Sequence, residues 1–185
     1  PEAIMTVVDL MDKYNMGYWN TRGLRGSSLE ELINATNQNY RNKNLAIVQK
    51  IPTPITPVSL DKEKGTINLA YFEQKSTIDY IGVVQGIPIC FDAKETSRES
   101  LPLQNIHEHQ MDFMECFIKQ KGIAFLLVHF KKYDEYFFLT FDVLKEYWDG
   151  SKNGKRKSIP YKEFNKDYII YNKNGFFIHY LETLN

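Results

Sequence analysis

The sequence predicts a single α/β domain built on a mixed β-sheet. Apolar residues recur at helical spacing in some segments and alternate with polar residues in others. These segments follow one another in the order helix, several strands, helix and further strands, which is typical of that class. The length of 185 residues is close to the usual size of one domain. Because no internal repeat or low-complexity linker divides the chain, we expect one domain over residues 1–185.

Local signals predict the individual elements. Ser27 or Ser28 is a suitable N-cap for the strongest of the early helices. A capping-box spacing between Asn105 and Glu108 indicates the start of a second helix. Strands are predicted over residues 45–51, 77–84, 87–94, 123–130 and 135–141, and helices over residues 1–14, 28–40, 106–121 and 143–148.

A proline-rich segment separates the first strand from the rest of the predicted sheet. Pro52, Pro54 and Pro57 cannot all lie inside a central sheet, because proline has no backbone N–H to donate to a neighbouring strand. Together with the polar turn at residues 61–65, the segment is predicted to form a projecting, irregular arm over residues 52–72. We call this segment the arm.

The charge balance favours local rather than global contacts with nucleic acid. Basic and acidic residues both number 23, so the net charge is zero, whereas proteins that coat nucleic acid are usually strongly basic. Basic side chains nevertheless cluster in two predicted loops, and a solvated surface is the alternative interpretation of both. The candidates for DNA binding are Arg25, Lys152, Lys155, Arg156 and Lys157.

Cysteine usage and hydrophobicity predict a cytoplasmic protein. Cys90 and Cys116 have apolar neighbours and are expected to be buried thiols of a reducing compartment. The longest apolar run, residues 123–128, has six residues, whereas a membrane helix needs about 20. No secretory leader opens the sequence, so we expect neither secretion nor a membrane partner.

The predicted hairpin of the two strands before residue 95 is the segment most informative about function. Its two-residue turn falls at Gln85 and Gly86, and each pair of facing residues then moves outward by one residue on each strand. The polar facing pairs are Asp79 with Asp92 and Thr77 with Lys94. Because side chains alternate between the faces of a strand, all four side chains are expected on one face of the sheet.

Two facing carboxylates predict a cation between them. Directly opposed cross-strand residues have Cβ atoms about 5 Å apart, and like charges there destabilise a sheet. Mg²⁺ binds through one or two carboxylates and retains several waters, so it fits Asp79 and Asp92. Lys94 is placed to orient a nucleophilic water or to stabilise charge on a pentavalent phosphate. The alternative is an exposed sheet face on which Asp79 and Lys94 form an ordinary ion pair.

A glutamine in the helix after the hairpin adds to this predicted site. Gln110 lies on the same buried stripe as Phe113 and Phe117, where an amide must find a partner. That partner is either a group of the acidic site or the backbone. His107 and His109 are predicted on opposite sides of the helix, as surface or capping residues that cannot share one metal.

Several longer motifs accompany the acidic residue and the Asp-x-Lys of the hairpin. In collinear order over about residues 22–160 they are Arg25-Gly-x-Ser-Leu-Glu30, Pro52-Thr-Pro54, Ala70-Tyr-Phe72, Ser76-Thr-x-Asp-Tyr-x-Gly82, Ala93-Lys-Glu-Thr96, Leu101-Pro-Leu-Gln-Asn-x-His-x-His-Gln110 and Lys152-Asn-Gly-x-Arg-Lys-Ser-Ile159. Together they resemble the RecU family of Holliday junction resolvases, within the PD-(D/E)xK nuclease superfamily. One departure is Asp92, which stands where that family usually has glutamate.

This resemblance implies a restriction-endonuclease-like fold, with a mixed β-sheet flanked by helices and with the arm as a projecting stalk. It implies a homodimer that nicks paired strands of four-way junction DNA in recombination and DNA repair, with the RecA recombinase as a further partner. The implied cofactor is Mg²⁺, for which Mn²⁺ can substitute. The implied metal ligands are Thr77, Asp79, Asp92 and Gln110, and the implied catalytic residues are Lys94, Asp79, Asp92 and Glu30.

Two other functions stay open at this point. A general restriction-like nuclease on the same fold would cut linear duplex as readily as a junction. A catalytically weak junction-binding protein that regulates the recombinase would bind junctions without cutting them. The second is the less favoured, because a protein that only binds DNA has no need of a destabilising carboxylate pair.

Deletion of residues 57–65 from the arm is expected to abolish the preference for junctions over linear duplex while the fold stays intact. The prolines limit the freedom of the arm before binding, so less ordering entropy is lost when it contacts DNA. Binding and cleavage of both substrates measure this preference. A deletion variant that still prefers junctions would contradict the role of the arm.

The protein is also expected to be a dimer in solution, because a two-fold dimer would present two equivalent sites to the junction. Sedimentation measures the oligomeric state, and a monomer would contradict this prediction.

Overall fold

A six-stranded mixed sheet lies at the centre of the protein in the computed structural model, which describes residues 28–72 and 78–184. In these residues the helices are α1 (Leu29–Asn42), α2 (Glu108–Lys119) and α3 (Phe141–Lys152). The strands are β1 (Ala46–Lys50), β2 (Ile55–Asp61), β3 (Thr66–Phe72), β4 (Tyr80–Val84), β5 (Ile87–Thr96), β6 (Ser100–Pro102), β7 (Ile123–Phe130), β8 (Glu135–Thr140), β9 (Ser158–Pro160) and β10 (Ile169–Ile170). The predicted fold class is confirmed. The helix predicted over residues 1–14 lies outside the described residues.

The main sheet has the strand order β1-β4-β5-β7-β8-β10. Its strands β5 and β7 are parallel, and the other neighbouring pairs are antiparallel. A parallel pair needs a long crossover connection, and α2 lies in the segment between β5 and β7. Strands β6 and β9 pair separately in a two-stranded sheet.

Helix α1 begins at a capping box. Ser28 Oγ accepts a hydrogen bond from the Glu31 N–H at 3.3 Å, and the Glu31 carboxylate accepts one from the Ser28 N–H at 2.8 Å. These reciprocal bonds satisfy two backbone donors that a helix start leaves free. Leu29, Ile33 and Tyr40 recur at helical spacing and are buried against the sheet, so the helix covers one face of it.

A row of stacked aromatic rings crosses the sheet on the face that α1 covers. Tyr80 stacks on Phe91 and Phe91 on Phe125, each with ring centroids 4.8 Å apart. Phe125 then stacks on Phe138 at 4.2 Å. Such pairs contribute about 0.5–1.5 kcal/mol each beyond the burial of their area. The row therefore fixes β4, β5, β7 and β8 relative to one another.

Helices α2 and α3 contribute to a second buried cluster on the other face of the sheet. Met111 and Met114 of α2 and Leu144 of α3 are buried in that cluster. Phe113 and Phe117, which were predicted on the buried stripe, are half-buried at its margin. The stripe is therefore rotated from the predicted one. Within the described part of the chain, no helix is long and apolar enough to cross a membrane.

The arm is more regular than predicted, because β2 and β3 pair as a hairpin of their own. Pro57 is tolerated in β2, where the pairing shifts directly after it, between Pro57 and Ser59. Large apolar side chains are exposed on this hairpin: Ile55, Val58, Leu60, Ile67, Leu69 and Tyr71. A concentration of exposed apolar side chains is typical of a contact surface.

Three further local predictions are wrong. Helix α2 begins directly after His107, and a short 3₁₀ turn, Leu103–Asn105, occupies the predicted start, so the predicted cap is not used. The rings of His107 and His109 stack with centroids 5.3 Å apart and so do not lie on opposite sides of the helix. Cys116 is exposed, whereas Cys90 is buried as predicted.

A buried polar network attaches α1 to the C-terminal segment. Tyr40 Oη lies 2.9 Å from His179 Nδ1 and also accepts a hydrogen bond from the Leu181 N–H at 3.4 Å. The tyrosine hydroxyl and the ring of the neutral histidine therefore share a hydrogen bond in the protein interior. Burial lowers the pKa of His179 to about 4, because little water is left to solvate the charged ring.

His179 is expected to make the protein less stable as the pH falls from about 6.5 to about 4. The unfolded chain takes up a proton on this histidine near pH 6.5, whereas the folded protein does so only near pH 4. The stability that the neutral histidine contributes is therefore fully present above pH 6.5 and is lost as the pH falls below that value. The free energy of unfolding should fall by about 2–3 kcal/mol between pH 7.5 and pH 4.5 from this group. Urea unfolding of wild type and His179→Gln at both pH values measures it. An equal fall in both proteins would contradict the assignment.

Candidate active site

The hairpin of β4 and β5 has the register that the sequence predicted. Its two turn residues both have positive φ, 47° and 88°, as a tight hairpin turn requires. The ladder runs without a shift from this turn to Tyr80, which faces Phe91. The next residue outward on each strand is Asp79 and Asp92, respectively.

Beyond Tyr80, the backbone hydrogen bonds between the two strands are replaced by hydrogen bonds from backbone N–H groups to the side chains of Asp79 and Asp92. The Asp79 N–H donates to Asp92 Oδ1 at 2.9 Å. In return, the Ala93 N–H donates to Asp79 Oδ2 at 3.2 Å. Because each carboxylate is fixed by the backbone of the neighbouring strand, the two acidic groups lie side by side at the end of the hairpin.

The Asp92 carboxylate is fully buried, with 0% of the residue exposed. Its Oδ2 lies 2.5 Å from Lys94 Nζ and accepts a hydrogen bond from Gln110 Nε2 at 2.6 Å. A buried charge is tolerated when it is paired and hydrogen-bonded. Lys94 thus pairs with Asp92, and the alternative of an exposed face with an ion pair between Asp79 and Lys94 is not what the structure shows.

Gln110 connects α2 to the acidic pair. Its Oε1 accepts a hydrogen bond from the His107 N–H at 3.0 Å, which satisfies a free donor at the start of the helix. The amide nitrogen, not the oxygen, faces Asp92. In this arrangement Gln110 holds the carboxylate in position, and its role as a metal ligand stays a prediction.

Two adjacent carboxylates make a cation favourable at this site. Burial, and next the charge of Asp92, raise the pKa of Asp79 to about 6, although the Ala93 N–H and Lys94 act to lower it. No group of three His, Cys, Asp or Glu side chains suited to a metal occurs among residues 28–72 and 78–184. Mg²⁺ needs one or two carboxylates and several waters, so the oxygen donors of this pair fit it.

Glu30 lies at the same end of the sheet and is held by a residue that the sequence analysis missed. Its carboxylate pairs with Lys50, the last residue of β1. The next residue, Ile51, donates its N–H to the carbonyl oxygen of Asp79 at 2.8 Å. Lys50 therefore connects Glu30 to the strand end that carries Asp79.

Tyr80 is a second residue that the sequence analysis missed. Its hydroxyl donates to Asn34 Oδ1 of α1 at 3.0 Å. Burial, and next the charge of Glu30 and of the acidic pair, raise the pKa of Tyr80, so the hydroxyl stays protonated and remains a donor. A lone tyrosine in a strand and a lone asparagine in a helix form no pattern, so no sequence signal could have identified this contact.

The basic segment at residues 152–157, which begins at the last residue of α3 and which we call the basic loop, lies beside the start of α2. Lys152 Nζ is 2.6 Å from Glu108 Oε1, the first residue of that helix. All four basic side chains of the loop are exposed: Lys152, Lys155, Arg156 and Lys157. Because α2 also contacts Asp92 through Gln110, one helix adjoins both the basic loop and the acidic pair.

The structure brings together four of the predicted site residues. We call them the acidic cluster: Asp79, Asp92, Lys94 and Gln110. The ion pair with Lys50 holds Glu30 at the same end of the sheet. Two predicted site residues, Thr77 and Arg25, lie outside the described residues.

A mixed sheet flanked by helices, with an acidic pair and a lysine at the ends of two adjacent strands, is the arrangement of the restriction-endonuclease-like fold. The family model described as RecU, Recombination protein U, matches residues 24–185. The chain therefore belongs to the RecU family, and the predicted resemblance is confirmed. The match continues to residue 185, beyond the region about residues 22–160 that the sequence motifs covered.

Curated relatives agree with this assignment. A Holliday junction resolvase RecU of Oceanobacillus iheyensis is 45% identical over 141 residues, which are 74% of this chain and 72% of the relative. The protein of the same name from Ligilactobacillus salivarius is 48% identical over 145 residues, 76% of this chain and 68% of the relative. That from Staphylococcus saprophyticus is 40% identical over 162 residues, 85% and 74% of the two chains.

Proposed function

We propose that this chain is a Mg²⁺-dependent endodeoxyribonuclease that resolves Holliday junctions by paired nicks in recombination and DNA repair. The observation that carries the proposal is the acidic cluster at the end of the β4–β5 hairpin, in a chain of the RecU family. Mn²⁺ is expected to substitute for Mg²⁺. The proposed setting is the cytoplasm, with the RecA recombinase as a further partner.

The acidic cluster is suited to hydrolysis of a phosphodiester. Asp79 and Asp92 would hold Mg²⁺, which supplies positive charge against the negative charge that develops on the phosphate. The ammonium group of Lys94, whose side chain is 15% exposed, is placed to stabilise the same charge by hydrogen bonding. Gln110 keeps Asp92 in position from the other side, so the arrangement exists before substrate binds.

Two surfaces are proposed to contact the junction. The arm leaves the sheet after β1, and Ile51, the residue directly before it, donates its N–H to the carbonyl oxygen of Asp79 at 2.8 Å, so the base of the arm adjoins the acidic cluster. The basic loop adjoins the same cluster through α2. Arg25 is proposed as a further DNA contact. A two-fold homodimer would bring two such sites to one junction, as two symmetric nicks require.

Cleavage of a four-way junction and of a linear duplex with the same sequence tests the proposed function. With Mg²⁺ we expect the junction to be nicked in two opposed strands, and with a chelator we expect no cleavage. Equal cleavage of linear duplex would support a general nuclease instead. Tight junction binding without cleavage at any Mg²⁺ or Mn²⁺ concentration would support a regulator of the recombinase.

Replacement Asp79→Asn is expected to lower the nicking rate by about 100-fold or more, because it removes a charged metal ligand. The amide oxygen can still accept the Ala93 N–H, so the fold should be preserved. Junction affinity without metal should be unchanged or slightly higher, because a negative charge near the phosphates is lost. Single-turnover nicking and gel-shift binding measure the two quantities.

Asp167→Asn is the matched control for that replacement, because Asp167 is exposed and lies in a 3₁₀ turn outside the acidic cluster. It should nick junctions at the wild-type rate. A near wild-type rate for Asp79→Asn would exclude Asp79 from the site. Equal losses in both variants would mean that the effect is not specific to the cluster.

Replacement of all four basic residues of the loop by alanine is expected to weaken junction binding and its salt dependence. Each phosphate contact contributes about 0.9 to the slope of log K against log salt concentration, so the loss of four contacts should make the slope shallower by about 3.6. A control with the same change of charge replaces the exposed residues Lys119, Lys121, Lys132 and Lys173. Equal slopes in wild type and loop variant would show that the loop is only a solvated surface.

A further inference from the structure

Glu95 follows Lys94 in β5, and strand alternation directs its side chain away from the acidic cluster. Its Oε1 accepts a hydrogen bond from the Leu29 N–H at 2.9 Å. Leu29 is the first residue of α1, and its N–H is one of the donors that a helix start leaves free. Glu95 therefore attaches the start of α1 to the strand that carries Lys94.

The side chain of Glu95 is itself held by several neighbours. Lys131 Nζ lies 2.8 Å from its Oε2, and His129 Nδ1 lies 3.4 Å from its Oε1. His129 is buried, stacks on Tyr136 at 4.2 Å and places its Nε2 3.2 Å from Asp134 Oδ1. Burial acts to raise the pKa of Glu95, but Lys131, the bound N–H and His129 together bring it below its usual value, so the group is charged.

The first turn of α1 is attached to the sheet at a second point. Glu30, the residue after Leu29, pairs with Lys50 of β1. In the sheet, β4 lies between β1 and β5. The first turn of α1 therefore lies across the start of β4, next to Asp79. It is attached to Glu95 of β5 on one side and to Lys50 of β1 on the other. Glu30 cannot move relative to Asp79 without disturbing one of these two attachments.

We propose that Glu95 is a positioning residue for nicking, which fixes the first turn of α1 so that Glu30 is held beside the acidic cluster. The inference rests on the proposed function and on the role predicted for Glu30. Glu95 acts through the Leu29 N–H, from the opposite face of β5, and touches neither metal nor DNA. Its loss should therefore change the nicking rate and not the affinity for the junction.

A double-mutant cycle of Glu95→Ala and Glu30→Gln tests this, with single-turnover nicking of a junction at saturating Mg²⁺ as the measurement. Misplacement of a positioned group by about 1 Å can cost about 100-fold in rate. We therefore expect Glu95→Ala to lower the nicking rate about 10- to 100-fold, with junction Kd changed less than about 2-fold. The double variant should be no slower than Glu30→Gln, because both changes remove one contribution. Glu95→Gln keeps an oxygen for the Leu29 N–H and should recover most of the rate.

Two further variants complete the test. Glu115→Ala is the control, since Glu115 also has two lysine partners, at 3.2 Å and 3.4 Å, but lies on α2 away from α1; it should nick at the wild-type rate. Should Glu95→Ala fail to fold, Lys131→Ala replaces it in the cycle, because it loosens Glu95 and leaves the bond to Leu29. Lys131→Ala should lower the nicking rate less than Glu95→Ala does, and it should cause no further loss when it is combined with Glu30→Gln.

Independent, multiplying losses in the cycle would overturn the inference, and so would a wild-type rate for Glu95→Ala. Failure of Glu95→Gln to recover the rate would overturn it too, since the Leu29 bond would then not be the cause. Failure of the wild-type protein to nick junctions with Mg²⁺ would instead overturn the proposed function. If the wild-type protein nicks junctions and Glu30→Gln nicks them at the same rate, Glu30 has no role in nicking. The positioning role of Glu95 is then contradicted as well.

Discussion

The buried carboxylate of Asp92 is the group on which the rest of the site depends. A charge removed from water is stable only when its oxygens are bonded, and here the partners come from three parts of the fold. The Asp79 N–H lies at the entry to β4, Lys94 lies on β5 and Gln110 on α2. If the helix separated from the hairpin, this buried charge would keep Lys94 but lose the hydrogen bond from Gln110. The buried carboxylate therefore connects the reactive groups of the hairpin to the helix beside the basic loop.

The aromatic row gives this cluster a rigid support. The rings of Tyr80 and Phe91 stack in the buried face of the same two strands, one residue from Asp79 and Asp92. Protein interiors are close-packed, so such a support resists small displacements of the carboxylates. The arm and the basic loop have exposed side chains instead. The protein thus combines a preformed reactive centre with accessible surfaces for a large substrate.

Helix α1 connects this centre to the end of the chain. Its start is bonded to β5 and β1, while its second half is attached to the C-terminal segment by buried hydrogen bonds: Tyr40 with His179, Asn37 with Tyr180 and Thr36 with Ile178. Buried polar bonds of this kind are satisfied in one arrangement only, and they specify position more strictly than apolar contact does. The orientation of the helix, and with it that of Glu30, is therefore set at both ends.

The sequence by itself determined the fold class, most strands and the facing of Asp79 and Asp92, because a two-residue turn and the alternation of a strand leave one register. Helical spacing likewise placed Gln110 on a buried face. Only the tertiary structure decided that Lys94 pairs with Asp92, that β2 and β3 pair as a hairpin despite Pro57, and which partners hold α1. The bond from Leu29 to Glu95 joins residues 66 positions apart. Such a contact depends on how a helix packs across a sheet, and no local periodicity encodes that packing.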